Sequence, residues 1–498
     1  MFTDPLDVLL FFSVTTPLVG WIGYKIGRVK IRELYAIAGL IVSALLLVRL
    51  YESVQQSGVV VIVAIKSFPP PLGVCLAVDS LGIFMAAVYV LLATLAAIFS
   101  TRYMEHDTGL TEYYTLILLM VAGMIGVVFA GDFFTLFVFW ELMCLSSYVL
   151  VAFRKQRWEP VEAGFKYLVM SASGTATILF AMSILYGLTG TLNFAYLSTN
   201  LATATPNPWL YLSLAMVVIG FGVKAAMAPL HTWLPDAHPA APSPISALLS
   251  GVVIKSGAYG MIRVLLLIFA PSNYHWQMTL AIFAVLTMFV GNLMALLQDD
   301  IKRLLAYSSI AQMGYVLFGL AIGTLYGLTG AVFHILNHAV MKGLLFLCAG
   351  AFIYRTETRS LEELAGIGRK MPLTAVVFTI GALAIAGVPP LNGFMSEFII
   401  VMAGIQGGMT VFSALMIANI LFSVGYYLRI IQIIVLKEPT ARVNTAREAP
   451  IEMLLPMIVL GALCVLIGVY PGPFVSFAGK AASAALDTQL LIQAITTR

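Results

Sequence analysis

Long apolar windows alternate along the chain with short polar stretches, and the windows are apolar all round rather than on one face. That pattern belongs to helices surrounded by lipid or by other helices, not to the amphipathic helices of a water-exposed surface. Windows bounded by Gly, Pro and charge fall at residues 6–26, 34–51, 79–100, 113–130, 132–152, 162–188, 209–229, 243–267, 277–297, 304–322, 325–350, 372–404, 409–436 and 453–471. A bilayer span needs about 20 apolar residues. The pattern therefore predicts an all-α integral membrane protein with about fourteen transmembrane helices. Between the second and third windows, Val59–Phe68 is a β-branched run ending in Pro69, Pro70 and Pro71, which reads as a short surface hairpin. Residues 480–498 read as a short surface helix. Met1 to Gly27 lacks a basic leader and a small-residue cleavage site, so it reads as a first span rather than a removable signal peptide.

Composition sharpens this. Of 498 residues, 61% are AVILMFWYC and only 10% are charged, against about 25% charged in soluble domains. A water-soluble enzyme is excluded, and the lipid bilayer is the first partner implied. No shift in composition marks a soluble domain, so 1–498 reads as one membrane domain: N-terminal helices over 1–112, a first unit over 113–267, a second over 277–436, and a last helix and tail over 437–498. The net charge of +4 is too small and too dispersed for a nucleic-acid partner. Cys75, Cys144, Cys348 and Cys464 stand apart with no C-x-x-C pair, so no disulfide framework, zinc site or iron–sulfur site is signalled. Walker A, haem and flavin motifs are absent too. No cofactor is expected in this chain, and any electron transfer belongs to partner subunits.

Charge placement tests the span count independently, because cytoplasmic loops collect Lys and Arg. Loops after odd-numbered spans hold Lys25, Arg28, Lys30, Arg32, Arg102, Arg154, Lys155, Arg157, Lys302, Arg303, Arg355, Arg359, Arg369, Lys370, Lys437, Arg442 and Arg447. Loops after even-numbered spans hold only Lys66, and the tail adds Lys480 and Arg498. The expectation is a multi-pass protein of the cell membrane with both termini on the non-cytoplasmic side.

The ionisable residues inside the windows include Glu141, Lys166, Lys224, Lys255, Arg263, Lys342 and Glu397. Each central one costs about 2.5–3.5 kcal/mol to insert, so each needs a partner or water. Lys166 and Arg263 lie close enough to span ends to snorkel. Glu141, Lys224, Lys255 and Glu397 do not. Two windows are also interrupted: Lys224 precedes Pro229, Pro235 and Pro239, with His231 beside the break, and Glu397 follows Gly387, Pro389, Pro390 and Gly393. Inside lipid, backbone groups freed by proline survive only where protein or water satisfies them. Paired interruptions in corresponding halves are the signature of inverted-repeat transporters, here spans 4–8 and 9–13, with the seventh and twelfth equivalent. In the eleventh window His334, His338 and Lys342 follow at i, i+4 and i+8 and share one helix face.

Alternating acid, lysine and imidazole, without a dense carboxylate or thiolate cluster, suits protons rather than Ca²⁺ or Zn²⁺. At an effective dielectric of about 20, a carboxylate about 7 Å from a buried lysine favours the ammonium by roughly 2.4 kcal/mol. Moving Glu141 relative to Lys224 would thus switch whether that lysine holds its proton.

The segments WELMCLSSY from Trp140, GVKAAMAPLHTWLPDAHPAAPSPISALLSGVVIKSGAYGMIR, DDIKRLLAYSSIAQMGY, HILNHAVMKGLLF and GVPPLNGFMSEF resemble the antiporter-like subunits shared by respiratory complex I, membrane-bound hydrogenases and multisubunit Mrp Na⁺/H⁺ antiporters, over roughly residues 75 to 470. The resemblance implies a fourteen-helix fold with inverted five-helix repeats and discontinuous seventh and twelfth helices. It implies that Glu141 and Lys224 modulate an input half-channel, that Lys255 links the halves, and that His334 and His338 belong to the central relay, with Lys166, His231 and Lys342 as accessories. Glu397 stands where several relatives have lysine and others glutamate. The short stretch after residue 471 differs from the family's distal member, which carries a long lateral helix. Implied partners are other membrane subunits, including related antiporter-like ones, and a peripheral redox arm. The implied cargo is H⁺, with Na⁺ as well in the Mrp-type alternative.

Overall fold

The computed structural model describes residues 4–26, 30–63, 73–202, 207–269 and 275–497. Among them the chain is almost entirely helical. In order come α1 (Pro5–Lys25), α2 (Ile31–Ser57), the strands β1 (Val60–Val63) and β2 (Cys75–Val78), α3 (Ser80–Tyr103), α4 (Leu110–Phe129), α5 (Phe133–Val151), α6 (Trp158–Thr189), α7 (Phe194–Ala202), α8 (Pro208–Lys224) and α9 (Leu234–Ala240). Then follow α10 (Ser243–Phe269), α11 (Gln277–Leu296), α12 (Ile301–Ala321), α13 (Leu325–Thr356), α14 (Pro372–Ile385), α15 (Asn392–Gln406), α16 (Thr410–Leu436), α17 (Ile451–Val469), α18 (Gly472–Leu486) and α19 (Thr488–Thr496). Twelve described helices are long and apolar enough to cross a membrane. The other two expected windows, 209–229 and 372–404, fall on shorter helices: α8, followed after a break by α9, and α14, followed after a break by α15.

Helix starts are set by short acceptors. Asp79, Asp132, Asn207, Asp300 and Thr324 each accept a backbone N–H from the first turn of α3, α5, α8, α12 and α13, respectively, which satisfies donors the helix cannot. The hydrophobic windows of α10 and α13 are enclosed by neighbouring helices along their whole length, whereas those of α2 and α16 are mostly exposed. The protein thus has a polar-bearing centre inside a lipid-facing ring. In each half the pattern of packing repeats: α4 lies on α5 as α11 lies on α12, and the broken spans lie against α6 and α13.

Both breaks are satisfied by protein rather than left open. At the first, Ala226 takes a left-handed φ of 54°, Trp233 Nε1 donates to the Val223 carbonyl at 2.8 Å, and the Ala228 N–H donates to Thr287 Oγ1 at 3.0 Å. At the second, Gln312 Nε2 donates to the Ile385 carbonyl at 3.4 Å and Asn337 Nδ2 to the Asn392 carbonyl at 2.9 Å. This is how non-helical backbone is tolerated at membrane depth.

Four expectations change. Arg263 does not snorkel: its side chain is 4% exposed and its guanidinium binds both Asp79 carboxylate oxygens at 2.8 and 2.9 Å. The planar fork of arginine matches a carboxylate, so burial in α10 is better met by pairing than by reaching for water. Lys302, counted among loop cations, is also buried. The hairpin exists, with Val60 opposite Val78 and Val63 opposite Cys75, but Val61, Cys75 and Ala77 are buried rather than on the surface; residues 64–72, with Lys66 and the proline run, lie outside the described residues. The C-terminal stretch is two helices, and α18 docks on α13 and α3 through buried Ala478, Ala481, Ala482 and Ala485. Small side chains permit that close approach and at the same time hide it from a hydropathy reading.

Removing one member of the Asp79–Arg263 pair leaves a buried charge unpaired. Asp79→Ala or Arg263→Ala should each cost about 3–5 kcal/mol and lower the melting temperature in detergent, measured by scanning fluorimetry; the double change Asp79→Leu with Arg263→Met should recover most of the loss.

Candidate functional site: a buried polar path

Lys224 is the last residue of α8, placed at the break so that its side chain leaves the helix end. Its Nζ donates to Tyr167 Oη at 2.6 Å and to Cys144 Sγ at 3.2 Å, and lies 4.8 Å from the Tyr167 ring centroid and 5.6 Å from that of Tyr148. Tyr167 is held by a parallel stack on Trp233 at 4.0 Å and by Ser147 Oγ at 3.0 Å. Glu141 lies one turn before Cys144 on α5, yet it makes no ion pair with Lys224, and its buried Oε1 has no hydrogen-bond partner. The structure therefore places the expected acid and base in one neighbourhood, with the lysine turned to the thiol and phenol.

Lys255 lies in α10 just after a π-helical stretch, Leu249–Val253, and its ammonium bonds the Ser250 carbonyl. A π turn displaces the following residues relative to a regular helix. Ser250 Oγ in turn meets Ser309 Oγ of α12 at 2.7 Å. On α13, His334, His338 and Lys342 are fully buried in register, and the two imidazoles are nearly parallel at 6.1 Å between centroids. Lys342 Nζ donates to the Leu305 carbonyl at 2.9 Å and to Tyr427 Oη at 3.1 Å, and Tyr427 meets Ser308 Oγ at 2.8 Å. His334 Nδ1 meets Ser396 Oγ at 2.9 Å, which also accepts from Asn337 Nδ2 at 3.0 Å. Both nitrogens of His338 and Nε2 of His334 have no partner among the described residues.

Ser396 immediately precedes Glu397, which is almost wholly buried in α15 with Oε1 unpartnered. Gly387, at φ 74°, lies against its other oxygen: a Cβ there would collide with Oε2. A glycine is required twice over, for the left-handed backbone and for room beside the acid. Nearby, Tyr315 Oη donates to Asn419 Oδ1 at 3.0 Å, Asn292 Nδ2 donates to the same oxygen at 2.7 Å, and Tyr426 Oη donates to Asn292 Oδ1 at 2.9 Å.

The expected residues from Lys255 to Glu397 are thus brought to one buried seam. The accessories divide. Lys342 belongs to the seam; Lys166 does not, being half-exposed and paired with Glu162 at 2.8 Å and Asp236 at 3.2 Å. His231 is partly buried beside the first break, with its Nδ1 unpartnered. Tyr259 serves the Arg263 pair, to which it contributes its oxygen at 3.1 Å. Sequence reasoning missed Asn292, Asn419, Lys302 and His238. The asparagines carry no charge and so escape a search for charges, Lys302 looks like a loop cation, and His238 sits in a proline-rich stretch that reads as a turn. Yet His238 is fully buried, stacked 4.6 Å from Phe346, with both ring nitrogens unpartnered. Such orphaned donors and acceptors cost about 1–3 kcal/mol each, so apolar packing alone does not account for a histidine there. Among the described residues no group of three His, Cys, Asp or Glu is placed to hold a metal ion.

This is the architecture of an antiporter-like membrane subunit, and comparison with known proteins agrees. Residues 130–423 match the family model described as NADH:quinone oxidoreductase/Mrp antiporter, and residues 65–114 match the NADH-ubiquinone oxidoreductase (complex I) chain 5 N-terminus. The chain belongs to this family. It is 35% identical to NADH-quinone oxidoreductase subunit N of Desulforudis audaxviator, over 83% of this chain and 85% of that one. Among solved structures it is similar to a chain of the membrane-bound sulfane sulfur reductase, an archaeal respiratory membrane complex (30% identity, TM-score 0.89, 99% of both chains), and to a chain of the Mrp complex from Dietzia sp. (26% identity, TM-score 0.89, 99% of both chains).

Because Gly387 leaves space for Glu397, Gly387→Ala should disturb the acid without replacing it. Proton translocation by the assembled complex in vesicles should fall several-fold, to a level near that of Glu397→Gln.

Proposed function

We propose that this chain is a proton-translocating membrane subunit of a redox-driven complex, moving H⁺ along Glu141, Lys224, Lys255, His334, His338, Lys342 and Glu397 while partner subunits, including a peripheral redox arm, carry out electron transfer. The observation that carries this reading is the seam itself: four residues of it, Lys255, His334, His338 and Lys342, are fully buried on two enclosed helices, with orphaned imidazole nitrogens between them. Groups meant only to glue helices would be paired to saturation, as Asp79 and Arg263 are. Bridging waters suit sites with unfilled polar partners, and a water between His338 and either neighbouring lysine completes a hydrogen-bonded route. The same reading takes fourteen crossings, counting each broken span once, with inverted repeats and both termini outside the cytoplasm; the loop charges and the similar packing of the two halves support it.

Lys224 sets the input. Turned toward Tyr167 and Cys144 it makes no ion pair with Glu141; turned toward Glu141 its ammonium is favoured. A conformational push from the partner subunits that alternates these positions loads and releases one proton. Glu397 ends the route with an acid, able to hold a proton as a neutral carboxyl until the exit opens.

A second reading, membership of a multisubunit Na⁺/H⁺ antiporter, is supported by the 30% identity to a Na(+)/H(+) antiporter component of Alkalihalophilus pseudofirmus, over 92% of this chain and 93% of that one. Purification of the chain with its native partners separates the two: iron and redox activity in the complex support the first, and Na⁺-dependent proton exchange by an iron-free complex supports the second.

Lys255→Ala should abolish coupled proton movement, read with a pH-sensitive dye in vesicles, while assembly seen by native electrophoresis is retained. Glu141→Gln should slow translocation at least tenfold, and Lys166→Ala by less than twofold; the reverse ranking would contradict the assignment.

A further inference from the structure

A cavity of about 290 Å³ opens among the loops that carry the excess of Lys and Arg, bordered by Arg154, Glu159, Ser243, Lys302, Glu357 and Arg359. These loops follow odd-numbered spans, so the cavity belongs to the face expected to be cytoplasmic. Of its three arginines, Arg154, Arg157 and Arg359, two are held in ion pairs. Arg154 binds Asp107 through two hydrogen bonds, at 2.9 and 2.8 Å, and Arg359 contacts Glu159 at 2.8 Å and Asp300 at 3.1 Å. Lys302 differs. Among the described residues it forms no ion pair, although it lies two residues from Asp300; its Nζ instead points inward to the carbonyls of Ala241 at 2.5 Å and Pro239 at 3.4 Å, at the end of α9. Pro239 is the neighbour of His238, whose unpartnered imidazole lies beyond it in the interior. The ring stacks on Phe346, which lies one turn along α13 from Lys342. His238 thus stands between a lysine that borders the cavity and one that belongs to the buried seam.

We propose that Lys302 and His238 form a second access branch, which carries protons between this cavity and the central lysines Lys342 and Lys255 without passing through Lys224. The inference rests on the proton-translocating reading of the seam. In the inward direction a neutral Lys302 amine takes a proton from cavity water, the ammonium passes it to one imidazole nitrogen of His238, and the imidazolium releases its other N–H proton to a neutral Lys342 or Lys255. Each step moves one proton and changes no other bond. A side chain that merely braced the end of α9 would need only charge and hydrogen bonds, which arginine also supplies. A relay needs a group that can lose its proton, which arginine does not.

The test uses the whole complex in sealed vesicles, driven by its own reaction, with membrane potential as the readout because added amines dissipate pH gradients. Lys302→Arg, Lys302→Ala and His238→Gln should each slow charge translocation at least fivefold with assembly unchanged. Methylammonium at tens of millimolar should restore Lys302→Ala at least threefold through the cavity, whereas tetramethylammonium, which has no proton to give, should not. Wild-type rates in both Lys302→Arg and His238→Gln would overturn the proposal, as would equal rescue by the two cations. If Lys302→Ala fails to assemble, Lys302→Arg and His238→Gln decide. Lys255→Ala keeps the two levels apart: unchanged translocation in that variant would undo the reading of the seam, whereas its loss beside wild-type rates at positions 302 and 238 would remove only the branch.

Discussion

Withdrawing an ionisable group from water is the most expensive thing this chain does, and the rest of the structure is arranged around it. A charge that faces acyl chains has no compensation, so Lys255, His334, His338 and Lys342 sit on helices that other helices enclose. α10 and α13 are buried throughout their apolar windows, while only a third of the α2 window is buried. The breaks in the seventh and twelfth spans obey the same rule. Freed carbonyls are met by Trp233, Gln312 and Asn337 rather than left in the hydrocarbon.

Two kinds of buried charge result, and their chemistry separates them. Asp79 and Arg263 neutralise each other through a bidentate contact, with Tyr259 completing the shell. Nothing in that arrangement invites a proton to move. Along the seam, by contrast, Lys224, Lys255 and Lys342 meet thiol, phenol and carbonyl groups, all of them neutral partners. Incomplete satisfaction, which would be a defect in a packed core, is what a transfer path requires.

The family frame explains how one scaffold appears in complexes driven by different reactions. The chain resembles a member of a respiratory complex and a member of an Mrp complex with the same TM-score of 0.89. An enclosed proton path needs only a push from outside, and the fold is indifferent to its source. Within this chain three positions bear on how such a path is built: a thiol at Cys144 in contact with Lys224, an acid at Glu397 with a glycine hollowed out beside it, and a histidine at His238 with no partner among the described residues.

Read alone, the sequence determined the fold class, the location of the broken spans and most of the seam, because each leaves a signal of composition or period: twenty apolar residues, a proline beside a charge, a histidine every fourth position. It did not distinguish Arg263 from a snorkelling cation, Lys302 from a loop charge, or α18 from a surface helix. Those distinctions depend on what lies opposite, Asp79 from another helix in the first case, the carbonyls ending α9 in the second, the flank of α13 in the third. Local pattern records how a segment wants to be solvated. Only the tertiary structure decides which neighbour does the solvating, since partners such as Asp79 and Arg263, 184 residues apart, leave no common mark in the sequence.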